Sequence, residues 1–221
     1  MNGNPYMEEA CMRVAELSYD KAEYRTAFYY FQQMSQVASS SSKRITAQVG
    51  MLRCSQNMAD TSSVIDVASK LLEEEQIDSI TRNEALYCRA KAYWQGEQYG
   101  LALVDFTPIA KEVRTLQGAE AKYLLAACYY HLGAIDMAEQ EIMSFTQQRT
   151  SHQYWLAKSL ILLSDINVDR QEWFQAKQYL LALQNNYHAQ DDIQKTIETK
   201  LQDIAQKEAQ HTTDTTYIQQ L

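Results

Sequence analysis

Turn-forming residues are scarce. Six glycines and two prolines serve a chain of 221 residues, too few for a sandwich, a barrel or a doubly wound sheet, all of which need frequent tight turns. With 46% of residues hydrophobic, that scarcity predicts an all-α protein. No apolar run approaches the roughly 20 residues of a membrane-spanning helix, so direct membrane insertion is not expected. The first residues have neither the charged region nor the apolar core of a signal peptide. A helix begins by about residue 5, so the chain reads as a segment of something longer. Twenty basic against twenty-eight acidic residues leave a net charge of −8, and no basic stripe offsets it. A nucleic-acid partner is therefore excluded on electrostatic grounds.

Catalytic signatures are missing as well. There is no phosphate-binding glycine loop, no dinucleotide fingerprint and no nucleophile elbow. His131, His152, His188 and His211 stand singly, without paired zinc spacing. Cys11, Cys54, Cys88 and Cys128 lie about forty residues apart without a C-x-x-C pair, each within an apolar helical stretch, and read as buried free thiols. Glu73, Glu74 and Glu75 at a helix end read as solvated surface, with a metal site as the alternative. Ser39 to Ser42 has the composition of a linker. These absences predict no catalytic residue, no cofactor and no metal, and so no enzyme.

What is present is a repeat. Blocks beginning at Glu8, Ile45, Asn83, Ala119 and Ala157 follow one another at offsets of 37, 38, 36 and 38. The eighth place of each block holds Ala15, Leu52, Ala90, Ala126 and Ser164; the twentieth holds Ala27, Val64, Ala102, Ala138 and Ala176. The twenty-fourth holds Phe31, Ala68, Phe106, Ile142 and Leu180, and the twenty-seventh Met34, Leu71, Ile109, Phe145 and Leu183. Small residues at the eighth and twentieth places let two antiparallel helices approach closely. Large ones at the later places form the buried stripe of the second helix. A single hairpin cannot cover that stripe, whereas a stacked neighbour does. Block two departs from the pattern with Val64, and Pro108 is expected to kink or shorten the second helix of block three. Asp191 and Asp192 precede a helix with Ile193, Ile197, Leu201 and Ile204 on one stripe. It suits a terminal cap, with a partner-binding amphipathic helix as the alternative.

Block four, with Ala126, Tyr129, Gly133, Ala138, Ile142 and Phe145, resembles the tetratricopeptide (TPR) pattern. So do Tyr24, Ala27 and Phe31, then Tyr93, Tyr99, Ala102 and Phe106, then Trp173, Ala176 and Leu180. The resemblance covers residues 6–188. It implies a right-handed α-α superhelix of about five hairpins, followed by a capping helix over 191–209 and a disordered tail over 210–221. The long period, with the stretches Gly118 to Ala126, His152 to Lys158 and Phe174 to Leu181, resembles the C-terminal part of long TPR chains of the bacterial envelope. The resemblance implies a monomeric, non-catalytic scaffold for a protein or extended peptide, in the periplasm or at the outer membrane through a longer chain. A cytoplasmic sensor binding a short peptide is the alternative, and an enzyme the third reading.

In TPR proteins the first helices line the concave face. Carried over, the inward places hold Met12, Glu16 and Tyr19; Val49, Arg53 and Gln56; Glu84, Tyr87, Lys91 and Trp94; Tyr123, Tyr130 and His131; and Lys158, Asp165 and Asp169. The implied partner site is Tyr87, Trp94, Tyr123 and Tyr130 with Arg53, Lys91 and His131. The same aromatics equally suit packing between hairpins, and Trp155 suits hairpin core. The Asn and Lys pattern of a carboxylate clamp is not present.

Overall fold

The computed structural model describes residues 5–218, with side chains from 6 to 211. Among the described residues there are eleven α-helices and no strand. They are α1 (Pro5–Asp20), α2 (Tyr24–Val37), α3 (Ser41–Asn57), α4 (Thr61–Leu72), α5 (Ser79–Gln95), α6 (Tyr99–Ile109), α7 (Leu116–His131), α8 (Ile135–Gln147), α9 (Gln153–Asp169), α10 (Trp173–Asn186) and α11 (Ile193–Ile218). The first ten pair in order into five hairpins, one for each sequence block. The chain divides into two compact units, one ending at Ile109 and the other beginning at Ala110.

In unit 1 each helix packs on the next, from α1 through α6. In unit 2 α7 packs on α8, α8 on α9, α9 on α10 and α10 on α11, while α7 also packs on α9 and α9 on α11. The residues at the eighth, twentieth, twenty-fourth and twenty-seventh places are buried in all five hairpins. Full burial of each large one contributes about 1.5–3 kcal/mol. Block two obeys the same volume rule by exchange. Leu52 and Val64 are larger than their counterparts, Ala68 is smaller, and all three share one core cluster. In hairpin five Ser164 takes the small place, and its hydroxyl donates to the Ala176 carbonyl at 3.0 Å.

The hairpin turns follow a rule the residue types conceal. Ala22, Ala59, Glu97, Gly133 and Gln171 all have left-handed backbone, with φ between 53° and 75°. All five occupy the fifteenth place of their blocks. Each closes the first helix with a pair of backbone bonds, such as Ala22 N–H to Tyr19 O at 2.9 Å and Glu23 N–H to Ser18 O at 2.8 Å. That is the Schellman arrangement. Only Gly133 is the residue the conformation favours; Gly96 stands one place before the left-handed Glu97.

Pro108 lies in the last turn of α6, which ends at Ile109. Past it, Val113 is buried and Thr115 caps α7 by accepting the Gly118 N–H at 3.0 Å. A Cβ at Gly118 would lie 2.0 Å from the Glu112 carbonyl oxygen, so this close approach requires glycine. Ser40 caps α3 by accepting the Lys43 N–H, which makes the serine run a helix start as well as a connection. Asp191 accepts the Ile193 N–H at 3.0 Å. Ile193, Ile197 and Ile204 are buried in the cluster that holds Ala176 and Leu180. The α11 backbone continues to Ile218, beyond the expected end at 209, so the expected tail is helical as far as it is described; residues 219–221 lie outside the described residues.

Candidate functional site

The inward places of unit 1 lie along α1, α3 and α5. A cavity of about 490 Å³ is lined by Met12, Glu16, Val49 and Arg53 among others, reaching Asp78 and Thr81 at the start of α5. A second, of about 670 Å³, lies between α1 and α3 and includes Glu8, Glu9, Arg13 and Lys43. A third, of about 240 Å³, is bordered by Gln56, Tyr87, Cys88 and Lys91. Arg53 is tied to the neighbouring hairpin, its Nε and Nη2 donating to the two Glu84 oxygens at 2.9 and 3.1 Å. That bond raises the guanidinium's pKa further. Lys91 Nζ stands 5.7 Å from the Tyr87 ring centroid, within cation–π range. Trp94 meets Tyr99 of its own hairpin edge to face, at 5.1 Å.

In unit 2, Tyr123 and Tyr130 are engaged with the next hairpin. Tyr123 stacks on Trp155 with ring centroids 5.7 Å apart, and burial pushes its phenol up to about 12. Tyr130 donates to Asp169 Oδ2 at 2.6 Å; burial first, and that bond second, push it up to about 12. His131 is exposed and meets the Tyr130 ring edge to face. Lys200 of α11 donates to Asp165 at 2.5 Å. Burial nonetheless lifts the Asp165 carboxyl above its ordinary range, since the lysine offsets only part of the desolvation. Trp155 packs beside Val113, Ala119 and Phe145.

Several polar contacts were not legible in advance. Arg89 grips Asp105 with Nε and Nη2 at 2.7 and 2.9 Å, and Nη1 reaches Ser69. Lys122 pairs with Glu141. Both acids occupy the twenty-third place of their blocks and link the two helices of one hairpin. The signal was a charged residue set within an apolar helical stretch. Glu74 corrects the solvated reading of its acidic run. It accepts from Arg44 at 2.6 and 2.7 Å and from Gln48 at 3.1 Å, while Glu73 and Glu75 are exposed. All four cysteines are free and buried, and burial pushes Cys54 up to about 11 and Cys88 and Cys128 to about 12. Such thiols are poor nucleophiles and poor metal ligands. Among the described residues, no three His, Cys, Asp or Glu side chains are grouped to hold a metal ion. No described helix is long and apolar enough to cross a membrane.

These hairpins form a helical repeat. The crystal structure of a tetratricopeptide repeat protein from Parabacteroides merdae ATCC 43184 is similar over 88% of this chain and 84% of that one, at 16% identity and a TM-score of 0.46. No curated protein matches. The family model described as the TT21 fifth ARM repeats domain matches residues 8–129, more than half of the chain, and this helical-repeat protein belongs to that family.

Proposed function

We propose that the chain is a non-catalytic scaffold that holds another protein, or an extended segment of one, against the first helices of its hairpins. One observation carries this reading: in unit 1 the inward places of successive first helices line cavities of about 490 and 670 Å³. Repeat faces of this kind offer contact area on a preformed backbone, which limits the ordering cost of binding. The proposal extends to a bacterial-envelope location as part of a longer chain, supported by the long-period TPR resemblance.

The test is photo-crosslinking from cell lysate. A photoreactive residue replaces Glu16 or Lys91 on first helices, or Tyr29 or Val104 on second helices. Adducts confined to the first-helix positions are expected. Adducts from Tyr29 and Val104 alone would overturn the reading. Recovery of the full-length gene product in the cytosolic fraction would end the envelope proposal.

A further inference from the structure

The third, seventh and tenth places of a first helix form one stripe, and in later hairpins that stripe is covered. In α3 it is Ala47, Met51 and Cys54, and in α9 Ser159, Leu163 and Ile166, all buried. In α5 Ala85 and Ala92 are buried, and Arg89 between them is committed to Asp105 and Ser69. The cover is the second helix of the preceding hairpin: α2 packs on α3, α4 on α5 and α8 on α9. Phe31 of α2 shares a cluster with Met51 and Cys54, and Met34 shares one with Ala47.

The same stripe of α1 is bare. Ala10, Val14 and Leu17 are exposed, Val14 by 36% and Leu17 by 45%, and Met7 at 55% lengthens the stripe by a turn. So α1 carries the register of an inner helix of the repeat, with one interface unfilled. The last hairpin differs. There α10 is covered by α11, whose Lys195, Glu198, Gln202 and Asp203 are exposed. A second copy docking through α11 would lay those polar groups on the α1 stripe.

The stripe is also small for a free partner. Stable partners bury about 800 Å² each, and four side chains of one helix, two of them less than half exposed, provide much less. A helix joined to α1 by a short connection needs no such area, because its translational freedom is already lost.

We propose that the outer stripe of α1 receives the second helix of a further hairpin in the same polypeptide. Met34, Leu71, Ile109 and Phe145 stand 11, 12, 10 and 12 residues before the next block begins. Their counterpart is a large apolar residue 10–12 places before Glu8, and it covers Ala10. A second large apolar residue three places earlier, the counterpart of Phe31, covers Val14 and Leu17. This proposal rests on the longer-chain reading and adds the surface by which the preceding part attaches.

Thiol labelling tests it. The four native cysteines are buried and give little background. In residues 1–221 alone, Leu17→Cys should react with a maleimide as an exposed thiol does. In the full-length gene product it should react at least about a hundredfold more slowly, because the thiol waits on local opening. Glu9→Cys, exposed and off the stripe, should react alike in both, and unchanged melting curves confirm that the variants are folded. Fast labelling of Leu17→Cys in a longer product, or an upstream sequence without the apolar pair, would overturn the interface alone. A native product that begins at Met1 would end the longer-chain reading with it. Protection in residues 1–221 that grows with protein concentration would assign the stripe to a second copy and overturn the proposal. The scaffold reading stands or falls separately, on the lysate crosslinks.

Discussion

In unit 2 the first helices of successive hairpins pack directly on one another, α7 on α9 and then α9 on α11. In unit 1 α3 and α5 approach only locally, and cavities lie along α1, α3 and α5. The ninth place shows why. It holds Glu16, Arg53 and Lys91 in unit 1 but the small, buried Ala127 at the start of unit 2. Arg53 spans the α3–α5 gap to reach Glu84, whereas the small Ala127 admits the next helix; Asp165, at the same place in α9, reaches Lys200 of α11. The same repeat place thus borders open space in unit 1 and close packing at the start of unit 2.

Four sets of substitutions sharpen that comparison, beginning with a device both units share. Asp105→Ala strands the Arg89 guanidinium in a largely buried site and should cost about 3 kcal/mol in urea unfolding. Arg89→Met combined with Asp105→Leu should recover most of that loss, because matched apolar groups need no partner. A double variant as weak as the single one would show that the pair, rather than its disruption, stabilises the hairpin.

The next effect should separate the units. Tyr130→Phe removes a bond to a carboxylate between hairpins four and five and should cost about 1 kcal/mol. Tyr19 accepts only a 3.2 Å bond from Asn57 at the equivalent place in unit 1, so Tyr19→Phe should cost less than about 0.5 kcal/mol. Equal losses would erase the distinction. Tyr123 and Tyr130 also set an alkaline limit. Their folded values, about 12, exceed the ordinary tyrosine value of about 10. Their contribution is therefore complete below pH 10 and lost as pH rises through 12. Melting temperature followed across that window should fall less steeply in Tyr130→Phe.

Turn substitutions should raise stability. Ala22→Gly and Ala59→Gly in unit 1, and Gln171→Gly in unit 2, relieve left-handed backbone and should each add about 0.5–1 kcal/mol. Gly133→Ala should lose a similar amount. The smallest effect belongs to Arg53→Met, which breaks an exposed pair worth about 0.5 kcal/mol and should leave the melting temperature nearly unchanged. A large loss there would make Arg53 a brace between hairpins.

Much of the fold was legible because burial in a helical hairpin has a fixed period. Ala15, Ala102, Phe106 and Phe145 recur where the period requires them, and each is buried. The early end of α6 at Ile109 follows from the missing amide of Pro108. The turns were less legible: four of the five left-handed positions carry residues that do not advertise that backbone, and only their alignment reveals the rule. Glu74 was misread because its partner, Arg44, lies thirty residues earlier on another helix. Of the residues lining the two larger cavities, Met12, Glu16, Val49 and Arg53 stand among the inward places, whereas of the implied partner site only Arg53 lies there; a list of inward residues does not say which are already spoken for.

The sequence by itself determined an all-α chain of five two-helix hairpins and a terminal amphipathic helix, because turn scarcity and apolar period are local properties. Only the tertiary structure decided that Tyr123 and Tyr130 are bound to the next hairpin while Glu9 and Glu16 form no ion pair among the described residues. Pairing depends on which side chains from distant blocks arrive within about 3 Å of one another, and no spacing along the chain records that.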